Sequence, residues 1–176
     1  MEQFLKSVER RAFRMAEIAT GSRDDALDVL QDAMLEFVRS YSHKPMEQWK
    51  PLFYRIVQNK IRDWGRRSKV RKIFVTLLPG RRHGQDREDA DPLQAIRDPE
   101  ALDPYQGVKT GEAIRRLEAV LKDLPPRQQQ VFLLRVWEGL SVNETATAMG
   151  CSQGSVKTHY SRAMNTLQES LNDTWP

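Results

Sequence analysis

The stretch SVNETATAMGCSQGSVKTHYSRAM, residues 141–164, predicts two short helices with a break between them. Ser141 and Glu144 form an S-x-x-E capping box, in which the hydroxyl accepts a hydrogen bond from a backbone amide and the glutamate reaches back to the cap. Gly150 can adopt the positive φ that ends a helix, and Ser152 can cap the next one. Because small side chains in the first helix permit a close crossing, the stretch predicts a helix-turn-helix.

The second of these helices has an apolar side and a polar side. Its apolar residues recur at helical spacing and are expected to face inward: Val156, Tyr160, Ala163 and Leu167. In a helix-turn-helix, cationic and hydroxyl groups on the outer side can contact base edges and phosphates, and amides at the helix start attract phosphate. The candidate DNA-binding residues are Gly154, Ser155, Lys157, Thr158, Ser161 and Arg162.

The break itself contains Cys151, the only cysteine in the chain. No histidine or acid is placed by the sequence to activate its thiol, so a packing role in the turn is favoured over a nucleophilic one. For the two helices together, a helical hairpin with a solvated basic face is the alternative to DNA binding.

Composition limits the other classes of function. The 176 residues carry 28 Lys and Arg against 24 Asp and Glu, and this net charge of +4 is compatible with an anionic partner. A single cysteine excludes an internal disulfide and a cysteine-based zinc site, and the three histidines lie far apart. Without a carboxylate cluster or a phosphate-binding loop, no enzyme activity, metal or cofactor is expected. The absence of an apolar leader or a membrane-length apolar run predicts a cytoplasmic protein.

Helical periodicity also occupies the front of the chain. A first helix is predicted to end at Gly21, and Ser22 is predicted to cap a second. The apolar side of the second is predicted to contain Leu27, Leu30, Met34, Phe37 or Val38, and Tyr41. A third helix from Trp49 is expected to bury Phe53, Ile56, Val57, Ile61 and Trp64 and to weaken at Gly65. The basic run that follows, residues 60–72, is suited to phosphate contacts.

Prolines and glycines, together with many acids, interrupt the pattern between residues 79 and 110 and predict a linker. Apolar periodicity returns at Glu112, with Ile114, Leu117 and Leu121 on one side. The predicted fold class is therefore all-α: two small helical bundles joined by a flexible linker, with the helix-turn-helix in the C-terminal bundle.

Three blocks of the sequence resemble bacterial RNA polymerase sigma factors of the extracytoplasmic-function (ECF) group. Residues 124–171, beginning LPPRQQQVFLLRVWEGLS, are similar to the promoter-reading C-terminal domain of that family. DDALDVLQDAMLEFV, residues 24–38, resembles the helix that binds RNA polymerase. WKPLFYRIVQNKIRDWGRR, residues 49–67, resembles the helix that melts and captures the downstream element.

The resemblance implies a domain plan and partners. Residues 1–78 would form the region 2-like domain, 79–110 the linker and 111–176 the region 4-like domain. The C-terminal helix-turn-helix would read the upstream (−35) promoter element, and the N-terminal domain the downstream (−10) element. The partners would be promoter DNA, the coiled coil of the polymerase's largest subunit, the flap of its second-largest subunit and a possible anti-sigma factor.

The resemblance also implies residue roles in the front domain. The polymerase-binding residues would be Asp28, Gln31 and Asp32. The residues for the downstream element and strand melting would be Trp49, Tyr54, Asn59, Lys60, Arg62, Arg66 and Arg67. Core packing is the alternative for Trp49 and Tyr54, and it is the favoured role of Phe53.

Some positions depart from the family pattern. Leu52 stands where a tryptophan is usual and Gln58 where an arginine is common. The loop 42–48, which in the family helps to form the pocket for a flipped base, lacks a glycine often found there. The base preference for the downstream element therefore stays open. The rival interpretations are an ordinary helix-turn-helix regulator and a small helical nuclease or transferase.

Overall fold

The computed structural model describes residues 1–77 and 104–171, and the side chains of residues 1–71 and 114–171. Seven α-helices occur in these ranges: α1 Glu2–Thr20, α2 Arg23–Tyr41, α3 Trp49–Leu77, α4 Pro104–Asp123, α5 Pro126–Phe132, α6 Val142–Met149 and α7 Gln153–Leu171. A 3-10 turn, Met46–Gln48, precedes α3, and a π-helical turn, Leu133–Trp137, follows α5. The described ranges contain no strand, and the predicted all-α class is confirmed.

The front bundle consists of α1, α2 and α3 around an aromatic core. Phe37 and Phe53 meet edge to face with ring centroids 5.6 Å apart, and Phe4 lies 5.5 Å from Phe37. Such edge contacts add to the free energy of burial because the ring edge is positive and the ring face negative. The core role favoured for Phe53 is confirmed, since its side chain is fully buried.

The boundaries of α1 and α2 follow the local signals in the sequence. Gly21 has a φ of 71° and donates its amide to Glu17 O at 2.8 Å, which ends α1. Ser22 Oγ then accepts a hydrogen bond from the Asp25 amide at 3.3 Å and caps α2. Both predicted caps are therefore confirmed.

One predicted core position on α2, Leu27, is wrong, and of the two alternatives Phe37 and Val38 the core contains Phe37. Leu27 is 39% exposed and Val38 is 42% exposed, whereas Phe37 is fully buried. A helix turns by about 100° per residue, so Phe37 and Val38 cannot both point inward, and the larger aromatic side chain takes the core position. Leu27 lies instead on the outer surface of α2.

Helix α3 runs through Gly65 without a break and ends at Leu77. The helix therefore does not end near Gly65. A glycine inside a helix lowers its stability but does not stop it when the flanking residues are good helix formers. The 29 residues make a rod about 43 Å long at ~1.5 Å per residue.

The back bundle comprises α4 to α7. Helix α4 begins at Pro104 and passes through Gly107 and Gly111, so the predicted interruption at these glycines is wrong. Proline at the first helical position is compatible with this start, because its missing N–H has no partner there. Ile114, placed by the sequence on the same side of this helix as Leu117 and Leu121, is 51% exposed, whereas Leu121 is fully buried. The rest of the predicted linker, residues 79–103, lies outside the described residues.

The π-helical turn changes how the chain leaves α5. Glu138 N donates to Leu133 O at 3.0 Å, and Leu140 N donates to Leu134 O at 3.0 Å, wider spacings than in an α-helix. Gly139 follows with a φ of 67°. This wide turn directs the Glu138 side chain inward, where the residue is only 4% exposed.

The two bundles pack against each other. Helix α6 lies on α3, and α4 contacts α1. Between α3 and the π-turn the side chains of Lys50 and Glu138 meet, and between α1 and α4 Arg14 meets Glu118. The helix-turn-helix is thus held beside the helix that the sequence assigned to the downstream element.

Candidate nucleic-acid interface

The helix-turn-helix is formed by α6, the turn at Gly150 and α7. The predicted capping box is present: Glu144 N donates to Ser141 Oγ at 3.2 Å, and Ser141 N donates to Glu144 Oε2 at 2.8 Å. The hydrogen bonds from Ser141 lower the pKa of Glu144 below its ordinary value, so the carboxylate stays charged at the positive end of the α6 dipole.

The turn between α6 and α7 has the predicted geometry. Gly150 has a φ of 61°, a conformation that residues with a Cβ rarely adopt. Ser152 Oγ accepts a hydrogen bond from Ser155 N at 3.1 Å and caps α7. Arg127 of α5 donates to Met149 O at 2.9 Å, which satisfies a carbonyl at the end of α6. These contacts fix the direction in which α7 leaves the turn.

Helix α7 buries its predicted inner residues and presents its predicted outer ones. Val156, Ala163 and Leu167 are buried, and Tyr160 is half-buried. The exposed outer residues are Gly154, Lys157, Thr158, Ser161 and Arg162. Lys157 and Ser161 are four residues apart, as are Thr158 and Arg162, so the two pairs form adjacent rows on the exposed side of the helix.

Two groups at the start of α7 are already engaged. The Ser155 amide donates to the Ser152 hydroxyl, and the Ser155 hydroxyl lies 2.9 Å from the same oxygen. Thr158 Oγ1 donates to Gly154 O at 3.0 Å. The Ser155 amide is therefore a poorer donor to a phosphate than the Gly154 amide, because it already donates to the capping hydroxyl.

Arg135 supports α7 from the π-turn and was not singled out by the sequence. Its guanidinium donates to Leu140 O and lies 6.0 Å from the centroid of the Tyr160 ring. A cation over an aromatic ring is attracted by the negative ring face. The isolated arginine in an apolar run carries no sequence signal for this role, because its partners belong to other elements.

Cys151 is half-buried beside the turn and is a free cysteine. It lines a shallow cleft with Arg55 of α3 and with Asn143, Gly150 and Gln153. This location agrees with the packing role expected from the sequence.

On α3, the predicted residues for the downstream element divide into two groups. Trp49 is 9% exposed, and its Nε1 donates to Lys44 O at 2.7 Å; Tyr54 is fully buried. Arg62, Arg66 and Arg67 are exposed, and Asn59 accepts a hydrogen bond from Arg62. The structure therefore places the two aromatic residues in the core and the cationic residues on the surface.

Lys60 is the predicted DNA-binding residue with the most acidic surroundings. Its Nζ lies 2.8 Å from Glu36 Oε2 and 3.8 Å from Asp32 Oδ2. The hydrogen bond to Glu36 raises the pKa of Lys60 above its ordinary value despite partial burial. A predicted DNA-binding lysine and a predicted polymerase-binding aspartate thus share one groove between α2 and α3.

The predicted polymerase-binding residues lie on the outer surface of α2. Asp28, Gln31 and Asp32 are all exposed. Leu27 and Leu35 are exposed beside them, at 39% and 56%. The sequence assigned Leu27 to the core and so missed its place on this surface, where apolar area adds to what a partner can bury.

Other kinds of site are not evident in the described ranges. No group of three or more His, Cys, Asp or Glu side chains within them is arranged to hold a metal ion. Among the helices described, none combines the length and the apolar character needed to cross a membrane.

Comparison with known proteins places the chain in a family. Residues 114–167 match the family model described as Sigma-70, region 4. The RNA polymerase sigma-E factor of Streptomyces coelicolor is 30% identical over 174 residues, which cover 97% of this chain and 85% of that protein. The ECF RNA polymerase sigma factor SigE of Mycolicibacterium smegmatis is 26% identical, with 97% of this chain and 61% of that protein covered.

The fold agrees with this result. The sigma factor RpoE of Bartonella quintana, solved in complex with the anti-sigma factor NepR, superposes with a TM-score of 0.66 at 20% identity, covering 99% of this chain and 100% of that one. The chain therefore belongs to the RNA polymerase sigma factors, and within them to the ECF group. It directs RNA polymerase to promoters as a transcription initiation factor.

Proposed function

We propose that the chain divides promoter recognition between its two bundles. The region 4-like domain, residues 111–176, would read the upstream element, and the region 2-like domain, residues 1–78, would bind polymerase and open the downstream element. The observation that carries this proposal is the outer side of α7, where cationic and hydroxyl side chains are exposed opposite an apolar side whose members Val156, Ala163 and Leu167 are buried. A helix of this kind after a tight turn can enter the major groove.

On α7 the residues differ in what they can contribute. Arg162 can donate two hydrogen bonds to a guanine edge, and Lys157 can contact a phosphate or a base. Thr158 and Ser161 offer short hydroxyls that can reach a phosphate or a base edge, while Gly154 allows the backbone to approach DNA closely. Ser155 supports this surface through its hydrogen bonds to Ser152.

On α3 the exposed arginines and Lys60 would track phosphates, which supplies affinity without sequence information. The loop 42–48 is exposed along its whole length and supports a role in holding a flipped base. The hydrogen bond from Trp49 to Lys44 O ties this loop to the start of α3. Trp49 and Tyr54 would then form the floor of the pocket for the flipped base, and Asn59 would face the DNA strand.

The outer surface of α2 would bind the coiled coil of the polymerase's largest subunit, with Asp28, Gln31 and Asp32 as its polar contacts. Their exposure and the neighbouring apolar side chains support this assignment. The second-largest subunit's flap would bind the C-terminal bundle. An anti-sigma factor is a further proposed partner, because the RpoE structure contains one. The chain would act in the cytoplasm and catalyse no reaction of its own.

The test is transcription in vitro with purified bacterial core RNA polymerase and a pool of genomic promoter fragments. Sequencing of the transcripts should show a shared pair of upstream and downstream elements that appear only when the protein is added. An ordinary helix-turn-helix regulator would bind DNA but start no transcripts with core polymerase. The absence of new transcripts from the whole pool would contradict the proposal.

A further inference from the structure

A charged pair, Lys50 and Glu138, lies at the contact between the two bundles. Lys50 Nζ donates to the backbone oxygen of Glu138 at 2.7 Å and lies 3.6 Å from its Oε2. The Glu138 side chain is 1% exposed, whereas that of Lys50 is 38% exposed. Lys50 belongs to the first turn of α3 and Glu138 to the end of the π-turn, so this one pair links the front bundle to the back bundle.

The buried carboxylate of Glu138 is incompletely compensated. Among the described residues, Glu138 Oε1 has no hydrogen-bond partner, and neither has the hydroxyl of Tyr54. Burial, and after it the carboxylate of Glu138, raise the pKa of Tyr54 above its ordinary value. Buried polar atoms without partners oppose the packing that surrounds them. Lys50 therefore stabilises the contact between the two bundles, and the buried oxygen atoms without hydrogen-bond partners destabilise it.

A second ion pair joins the bundles at another point. Arg14 of α1 contacts Glu118 Oε1 of α4, with Nε at 3.1 Å and Nη2 at 2.5 Å. The two pairs lie between different helices, yet each has its cation in the front bundle and its acid in the back bundle. The same charge arrangement at both points favours one relative placement of the bundles.

This placement brings together surfaces assigned to DNA. Helix α6 packs on α3, and Arg55 of α3 shares a cleft with Ser152 and Gln153 at the start of α7. The space beside the start of α7, where a DNA backbone would pass, is thus bordered by α3. Tyr54, one turn after Lys50 on α3, is fully buried.

We propose that the Lys50–Glu138 pair beside Tyr54 is an autoinhibitory latch, which keeps the free chain closed and opens when the bundles separate on core polymerase. The pair stabilises the closed state because removal of Lys50 would leave a buried carboxylate uncompensated. The unpartnered Oε1 of Glu138 opposes that state, because the buried oxygen can regain water when the bundles part. This role rests on the proposed division of promoter recognition between the two bundles.

The test measures the separation of the bundles in the full-length chain. Cys151→Ser removes the native thiol, and Ser40→Cys on α2 with Gln168→Cys on α7, both at exposed positions, carry a fluorescent donor and acceptor. The parent chain should show predominantly high energy transfer. Lys50→Met should raise the ratio of open to closed molecules by about tenfold or more, because the buried carboxylate loses its counter-charge.

The decisive variant is the double substitution of Lys50→Met with Glu138→Gln. With the carboxylate neutralised, nothing charged is left buried, and energy transfer should return toward that of the parent. A merely steric effect of methionine would not be reversed by a change at Glu138. Lys6→Met is the matched control, since it removes a lysine from an exposed ion pair within α1.

Binding to purified core polymerase gives a separate readout. If only open molecules bind, Lys50→Met should tighten the apparent Kd in proportion to the open fraction, and the double variant should reverse the gain. High transfer that persists in Lys50→Met, or low transfer in the parent chain, would overturn the latch. Failure of every variant to bind polymerase would instead contradict the proposed function and leave the distance result valid.

Discussion

At the scale of the residue, Arg162 is the side chain on which the reading of the upstream element depends most. It is exposed on α7 next to the buried Ala163, so its guanidinium is accessible while the helix beneath it is packed against the bundle. The planar guanidinium presents two donors in a fixed geometry that matches the O6 and N7 acceptors of a guanine, whereas the ammonium group of a lysine is a flexible point charge.

Arg162→Ala is expected to weaken binding to the upstream element found by transcript sequencing by roughly 1–3 kcal/mol. The loss should be larger on that element than on unrelated DNA, as measured by fluorescence anisotropy at fixed salt. Arg10→Ala, at an exposed position on α1, serves as the control. An equal loss on all sequences would make Arg162 a phosphate contact.

Asp32 is expected to act at the surface of α2. Asp32→Arg should abolish stable binding to core polymerase, because it reverses a charge in the middle of the proposed contact surface and also faces Lys60, 3.8 Å away in the parent chain. Binding can be measured by co-elution and helix content by circular dichroism. Glu9→Arg, an equal charge change on exposed α1, should leave binding intact, and unchanged affinity in Asp32→Arg would remove that residue from the interface.

At the scale of the element, α3 combines three tasks along one uninterrupted helix. Its first turn holds Lys50, its middle buries Phe53 and Val57, and its second half carries the exposed arginines. Any bend in this helix would alter the angle between the core and the phosphate-binding surface. The continuity of α3 through Gly65 is therefore the property that keeps these parts aligned.

Gly65→Ala should stabilise the chain by roughly 0.5–1 kcal/mol, because alanine restricts the unfolded chain and suits a helix interior. A Cβ at this position would meet no other atom within 4 Å. Urea unfolding followed by circular dichroism measures the change. Gly150→Ala is the contrasting variant: its φ of 61° strains any residue with a Cβ, so it should lower stability. Destabilisation by Gly65→Ala would mean that α3 bends at this point.

The elements that the sequence predicted well are those whose signals are local. The capping box of α6, the left-handed glycines 21 and 150 and the Ser152 cap each depend on residues at most four positions apart. The outer side of α7 followed from the same short-range periodicity. The error at Leu27 has another origin, because tertiary packing decides which side of a helix is buried where the local pattern leaves two choices almost equal. The choice between Phe37 and Val38 was of the same kind and stayed open in the sequence.

At the scale of the whole molecule, the arrangement of the two bundles could not be predicted. Lys50 and Glu138 are separated by 88 positions and Arg14 and Glu118 by 104, so no sequence pattern links them. The burial of Trp49 and Tyr54 belongs to the same category, since an aromatic residue in a helix can serve a core or a surface equally well. The site residues on α7 were accessible to prediction through helical periodicity, and those on α2 through resemblance to a family motif. Their roles on DNA and polymerase remain predictions.

The second ion pair gives a prediction at this scale. Glu118→Gln, made in the Lys50→Met background where both states are populated, should raise the open-to-closed ratio a further two- to fivefold, on the order of 0.5–1 kcal/mol for a partly exposed pair. Energy transfer between the same labels measures it. Glu169→Gln on exposed α7 is the control. An unchanged ratio would show that Arg14 is fully satisfied by Glu17, its other partner.

The π-helical turn at Leu133–Trp137 has a consequence for variation among related chains. Such a turn is equivalent to an α-helix into which one residue has been inserted. Deletion of one residue there would restore ordinary spacing and swing Glu138 around the helix axis by about 100°, away from Lys50. The number of residues in the π-helical turn thus decides whether Glu138 can reach Lys50. An insertion or deletion of one residue there would change the stability of the closed state more than most substitutions nearby.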